Sequence, residues 1–447
     1  MTTYSYTHVI SLRSSAAAAM RFVVGLSLTL VAVNTVQALT TYEADQMTFM
    51  KEEEKLARDV YTTLGTHWDL PIFGNIARSE QTHMDRMDTL LVTYGLPDPA
   101  SAQVGVFTNP VLQHLYDRLV DTGRTSPRAA LGVGEMIEIT DIRDLTALID
   151  ATELADVIST ADRLRNASYN HLAAFRSQLA LLPPVTLPES NSQLVNLSAR
   201  GVLGEGDESL IVGFVIQGDT SLRMLLTTRG PSLEQFGIAD YAGDPSIQLF
   251  AGAEVIAAND NWATALDASI PAENQIFALA SPDAALLVTL DPGAYTVIAA
   301  NAGNGRTGLS EIYALPEVGQ TSRLLNLSVR GKTESGDGRL IAGFIVTGED
   351  ALPVQLRALG PTLISYQVDG TADDLDLEIF DQNATPSPQH VSDWLDAEVL
   401  GTIDSAYWPE TPLEPLTLTT VGPGAVTVHA IDPLGIGGIT LIDVTIF

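Results

Sequence analysis

Between residues 47 and 175 the apolar positions recur at alternating intervals of three and four, the spacing of one helical face. Four such stripes are legible. They run Met47, Met50, Glu54, Ala57, Tyr61, Leu64; then Phe73, Ile76, Glu80, His83, Met87, Leu90, Tyr94; then Leu131, Gly134, Glu138, Asp141, Leu145, Leu148; then Val157, Ala161, Leu164, Ser168, His171, Phe175. They predict helices from about Tyr42 to Thr63, from Pro71 onward, from a Ser126 cap with Pro127 in the first turn, and from about Glu153 to Leu181. A shorter helix, Pro110 to Asp121, falls within the connection Gly95 to Thr125, which is long enough to cross to the far end of an antiparallel bundle. After the proline-rich segment 183–191 the period changes. Short runs such as Leu210 to Ile216 and Ala284 to Leu290, divided by Gly, Asp, Asn and Pro turns, predict strands.

The strand region is a tandem repeat. Segment 192–233 matches 322–363 without a gap: Asn196, Leu197, Ser198, Arg200 and Gly201 return as Asn326, Leu327, Ser328, Arg330 and Gly331. Gly206-Asp207 returns as Gly336-Asp337, Gly213-Phe214 as Gly343-Phe344, Gly230-Pro231 as Gly360-Pro361, and Trp262 as Trp394. Two copies of one antiparallel β-sandwich module are expected, over 192–318 and 322–447, following a four-helix bundle over 39–182 and the linker 183–191. The Gly-Asp pairs read as turns, with calcium at Asp207, Asp260, Asp337 or Asp393 as a weaker alternative.

Composition narrows the chemistry. The chain holds no cysteine, so a metal must be bound by oxygen and imidazole. The net charge of -32 disfavours nucleic acid and anionic membranes as partners. Arg21, the apolar run Phe22 to Val33, and Val36-Gln37-Ala38 read as an export signal over residues 1–38, predicting a mature start near Leu39, no membrane insertion after cleavage, and a periplasmic, extracellular or cell-surface location.

Ionised carboxylates do not belong on a buried seam without compensation. Glu54, Glu80, Glu138 and Asp141 together with His83 and His171 are therefore read as metal ligands. Glu80 and His83, three apart on one helical face, form the Glu-x-x-His element with which bundles hold di-iron and di-manganese pairs. On the first helix Glu53 sits on a second apolar row with Phe49, Leu56 and Val60, leaving it as an alternative to Glu54. Lys51, Glu52, Lys55 and Arg58 are expected outside; Glu135 and Asp144 are expected in solvent. Tyr61 is expected to serve packing.

The stretches EEEKLARDVY (52–61), SEQTHMD (79–85), GVFTNPVLQHLYDRL (105–119), IEITDIRDL (137–145) and NHLAAF (170–175) resemble the ferritin-like superfamily, and more narrowly the uncharacterised family called domain of unknown function 2202. The context of Glu54, with Ala57, Arg58 and Tyr61, is similar to the first-helix ligand context of rubrerythrins. That resemblance implies Glu54, Glu80, His83, Glu138 and His171 as ligands. The superfamily's second Glu-x-x-His is absent, because Ser168 stands three before His171; Asp141 is the candidate replacement carboxylate. The second half resembles repeated modules of large secreted bacterial proteins, which implies an extracellular accessory role.

The expected function is an exported ferritin-like metalloprotein with two irons, or manganese, acting as an Fe(II) oxidase or on peroxide, with O2 or peroxide as small-molecule substrate and a homodimer allowed. The rival expectation is a surface-binding or structural protein whose β-modules contact glycan or protein through Trp262, Trp394 or Trp408.

Overall fold

Four long helices carry the stripes: α1 (Thr41–Trp68), α2 (Pro71–Tyr94), α4 (Pro127–Ala151) and α5 (Ala155–Leu179), with the shorter α3 (Pro110–Gly123) between α2 and α4. These elements come from a computed structural model that describes residues 39–446 except 265–277, 302–305, 318–319, 335, 385–386, 393–398, 401, 404 and 412–413. The expected export signal lies outside the described residues, as do Asp393 and Trp394, and the side chains of Asp207 and Asp337 are not described. Local chemistry sets the helix starts. Thr40 and Glu43 form a reciprocal capping box at α1, Asn109 and Ser126 cap α3 and α4, and Pro71, Pro110 and Pro127 occupy first turns.

Short connections make α1 antiparallel to α2 and α4 antiparallel to α5. Tyr61 meets Glu138 whereas the earlier Glu53 meets the later Asp144, so α1 also runs antiparallel to α4. The chain thus goes up, down, down, up, and residues 95–126 must carry it back along the whole bundle.

That return path overturns one sequence expectation. Lys51, Glu52 and Lys55 are buried: the connection lies over Glu52 and Lys55, and Lys51 is turned against α2. The backbone N–H groups of Thr108 and Asn109 donate to Glu52 at 2.6 and 2.9 Å, and Gly105 N–H donates to Asp59 at 2.9 Å. Lys55 donates to Gln103 O at 2.9 Å, pairs with Asp59, and sits 4.1 Å from the Phe107 ring centroid. Lys51 is held by Asp88 and by Met84 O. Glu135 is likewise buried rather than solvated, 2.8 Å from Arg176 Nε.

Among the described residues the second half contains sixteen strands, eight from each repeated copy. The first copy supplies β1 (Gln193–Leu203), β2 (Leu210–Gln217), β3 (Leu222–Arg229), β4 (Pro245–Ala251), β5 (Glu254–Asn259), β6 (Ala284–Leu290), β7 (Gly293–Asn301) and β8 (Arg306–Ala314). The second supplies β9 (Arg323–Thr333), β10 (Ile341–Thr347), β11 (Leu352–Leu359), β12 (Asp376–Asp381), β13 (Gln389–Val391), β14 (Leu416–Val421), β15 (Gly424–Ile431) and β16 (Gly438–Ile446). Antiparallel ladders order them as β6-β3-β8-β1-β10-β15-β12-β13 and β14-β11-β16-β9-β2-β7-β4-β5, with a further β1–β9 pair at Leu194 and Leu324. The copies join edge to edge in both runs: β1 pairs β10, and its equivalent β9 pairs β2. Strand edges that would otherwise stand unpaired are covered, and the inward residues of both copies form one core.

The repeated glycines have local reasons. A Cβ on Gly230 or Gly360 would lie within 1.9 or 2.4 Å of the carbonyl oxygen of Ala242 or Ala372. Gly206 and Gly336 take positive φ, as their turn reading requires.

The halves share a second core. Val399, Leu400, Ile403, Trp408, Leu416 and Leu418 bury themselves in one cluster with Leu56, Val60 and Met136 of the bundle, and Arg176 donates to Ser405 Oγ at 2.9 Å. Trp408 is therefore covered by the helical domain, and Trp262 is half-buried against Leu279 and Ala285. Among the described residues no helix is long and apolar enough to cross a membrane.

Candidate metal centre

The bundle gathers five of the six sequence-selected residues into two groups. Glu54, Glu80 and His83 form one, and Glu80, Glu138 and His171 the other; in each, the candidate ligand atoms lie within 4.8 Å of one another. All four long helices contribute, and Glu80 belongs to both groups. His83 Nδ1 is 2.7 Å from Glu80 Oε2 and 3.1 Å from Glu54 Oε2. His171 Nδ1 is 2.8 Å from Glu80 Oε1 and 3.4 Å from Glu138 Oε2. Glu80 thus turns one oxygen toward each imidazole. The two rings stack with centroids 5.7 Å apart.

Asp141 lies outside both groups. It is buried, and its Oδ2 accepts a hydrogen bond from Ser168 Oγ, the residue standing where a second Glu-x-x-His would begin. Glu54, rather than its neighbour, enters the site; Glu53 is buried too, but turns toward Asp144. Asp144 itself is a quarter exposed or less and bonded to Arg143, so the expectation that it stands free in solvent does not hold.

Surrounding residues hold these side chains. Tyr61 donates to Glu138 Oε1 at 2.7 Å, a connection beyond the packing role expected of it. Ser79 Oγ lies 3.1 Å from His171 Nε2, fixing the ring from its far side. Below the site, the Phe175 ring packs against Tyr61 and Phe73, with centroids 5.3 and 5.7 Å away, and lies directly on Gly134. That close approach accounts for a glycine on the α4 stripe. Ser79 carries no periodicity signal, so sequence reasoning had no means of selecting it.

The electrostatics are strained toward a cation. Burial raises Glu54 to about 8 and Glu138 to about 7, with His83 and His171 opposing the rise. For Glu80 burial also pushes upward, but the His171 and His83 imidazoles beside it outweigh this and bring the carboxyl down to about 2. Burial depresses both imidazoles, yet their carboxylate neighbours lift His83 to about 10 and His171 to about 9. Asp141 is raised well above the usual range by burial and by Glu54, Glu53 and Glu138.

Unmet lone pairs remain. Glu54 Oε1, Asp141 Oδ1, Glu80 Oε1 and His171 Nδ1 are buried without a hydrogen-bond partner; the last two are close but not aligned to bond. Buried carboxylate oxygens left in this way cost several kcal/mol, of order 1 to 3 each, unless something positive occupies their lone pairs. The donor set, oxygen and imidazole, suits iron, manganese or zinc. Among the described residues no other group of three or more His, Asp or Glu side chains comes together like this, and Asp260, a calcium candidate, is exposed.

Residues 43–182 match the family described as an uncharacterized protein domain (DUF2202). Uncharacterized protein MJ0754 of Methanocaldococcus jannaschii is 46% identical over 140 residues, which cover 31% of this chain and 76% of that protein. The crystal structure of hypothetical protein MJ0754 from Methanococcus jannaschii, also 46% identical, aligns over 32% of this chain and 83% of that one, with a TM-score of 0.32. On this evidence the chain, through its helical domain, belongs to the DUF2202 family.

Proposed function

We propose that Glu54, Glu80, His83, Glu138 and His171 hold a pair of divalent metal ions, iron first and manganese second, in an exported ferritin-like protein acting as an Fe(II) oxidase or on peroxide. The observation that carries this reading is the sharing of Glu80 between two groups that each contain two carboxylates and one imidazole. The up-down-down-up course of the helices supports the ferritin-like assignment. The four carboxylates, counting Asp141, match the charge of two divalent ions.

Iron in such a site would supply electrons one at a time to O2 or peroxide. The chain's own residues do the remaining work. Tyr61 and Ser79 fix Glu138 and His171 in place. Ser168 restrains Asp141, whose free oxygen remains available beside Glu138. Phe73 and Phe175 exclude water from one side, which strengthens each electrostatic contact within.

The test uses the mature full-length chain, since the two halves share a core. After anaerobic loading with Fe(II) and desalting, two irons per chain are expected in the wild type and none in the Glu80→Gln/His83→Gln double variant. Equal iron in both proteins would remove the assignment.

A further inference from the structure

We propose that the chain has a second small-molecule site, unrelated to the metal ligands, in the joint between the bundle and the second β copy, and that it takes an organic monocarboxylate with an apolar body. A cavity of about 830 Å3 lies there, within the size range of ligand pockets. One wall is the face of α4 carrying Ile139 and Arg143, and the other is the outer face of the β9, β16 and β11 strands. Strand alternation explains that second wall. Leu327, Val329, Ile442 and Val444 point into the β core, so Ser328, Arg330, Leu441 and Asp443 must point out of it.

The charged groups of the wall are matched, with one exception. Arg357 donates to Asp443 at 3.0 Å and to Tyr407 O at 2.5 Å, and Asp443 also accepts from Asn326 at 2.9 Å. Arg143 donates to Asp144 at 2.8 Å. Glu410 accepts from Ser365 Oγ at 2.8 Å. The side chain of Arg330 has neither a hydrogen bond nor an ion pair among the described residues, and its Nε is shut off from solvent. Leaving one buried N–H of a partly exposed guanidinium without an acceptor carries a cost. It is the more unexpected in a chain with 55 acidic residues against 23 basic ones, where an acid could readily have been placed beside it.

A single free guanidinium fork matches one carboxylate in bidentate fashion. A more highly charged anion would be repelled by Glu410 and Asp443 on the same wall. Leu363, Val368, Trp408 and Leu441 offer the apolar surface for the rest of the ligand. Arg330 is the determinant of specificity in this arrangement, and the hydroxyl of Ser328 lies on the same wall.

Benzoate serves as the probe, titrated calorimetrically into the full-length mature chain, with inorganic phosphate as the comparison. The wild type should bind one benzoate saturably and more tightly than phosphate. Arg330→Gln should bind it at least about tenfold more weakly with no fall in melting temperature, since that side chain has no polar partner to lose among the described residues. Val368→Trp, which fills the cavity and leaves the cation in place, should weaken binding as well and guards against a folding defect in the first variant. Absence of benzoate binding, equal binding by wild type and both variants, or phosphate binding as tightly as benzoate would each overturn the proposal.

Discussion

The two faces of α1 both bury charge, and they differ in how that charge is satisfied. On the face under the crossover connection, Glu52, Lys55 and Asp59 find protein partners: two backbone N–H groups for Glu52, a backbone carbonyl and Asp59 for Lys55, and Gly105 N–H for Asp59. On the inner face Glu54 meets other carboxylates, and one of its oxygens has no partner. The outer network closes on itself and serves the fold, holding the return segment against the bundle. The inner group is only partly satisfied: His83 and His171, lifted to about 10 and about 9, face its carboxylates, while Glu54 Oε1 has no protein partner. Burial alone therefore does not single out a candidate ligand; burial with unmet lone pairs does.

The largest effect should come from breaking the outer network. Lys55→Met leaves buried Asp59 with Arg58 as its one remaining cation and is expected to destabilise the chain by about 2–3 kcal/mol in urea unfolding, while the metal bound per folded chain stays unchanged. A mild stability effect accompanied by metal loss would mean the two faces are not separable. Glu54→Gln should show the reverse: at least about a hundredfold weaker binding of one of two metals, with stability in excess chelator equal to or above that of the wild type.

Protons give a third contrast. The folded values of Glu54, about 8, and of His83, about 10, lie above their ordinary ones, so at pH 7 these groups hold protons that a metal must displace. Manganese(II) affinity should therefore fall by about tenfold or more for each unit of pH lowered from 8 to 6, with protons released on binding in weakly buffered solution. Binding that is independent of pH would contradict the ligand set. The smallest effect is expected from Tyr61→Phe, which removes the hydrogen bond to Glu138: about 1 kcal/mol of stability and about tenfold in metal affinity.

Periodicity carried the sequence reading furthest where a side chain's role depends on its own helix. Intervals of three and four put Glu54, Glu80, His83, Glu138, Asp141 and His171 on inward stripes, and five of these meet at Glu80. The same reasoning placed Lys51, Glu52 and Lys55 outside, because local spacing reports which face a residue occupies and not what later covers that face. The burial of Glu52 and Lys55 depends on the path of residues 95–109 and that of Lys51 on α2, both non-local matters. For the same reason the repeat revealed two copies of a module but not that β1 pairs β10 and β9 pairs β2, since edge pairing between copies leaves no periodic trace. Trp408, a platform candidate by sequence, packs against the bundle through a joint that composition cannot reveal.

The most direct test of the central claim is anomalous diffraction from crystals of the mature chain loaded with Mn(II), collected near the manganese edge. Two peaks are predicted, one among Glu54, Glu80 and His83 and the other among Glu80, Glu138 and His171. Crystals with no peak at Glu80, while the outer Glu52, Lys55 and Asp59 network stands intact, would contradict the account.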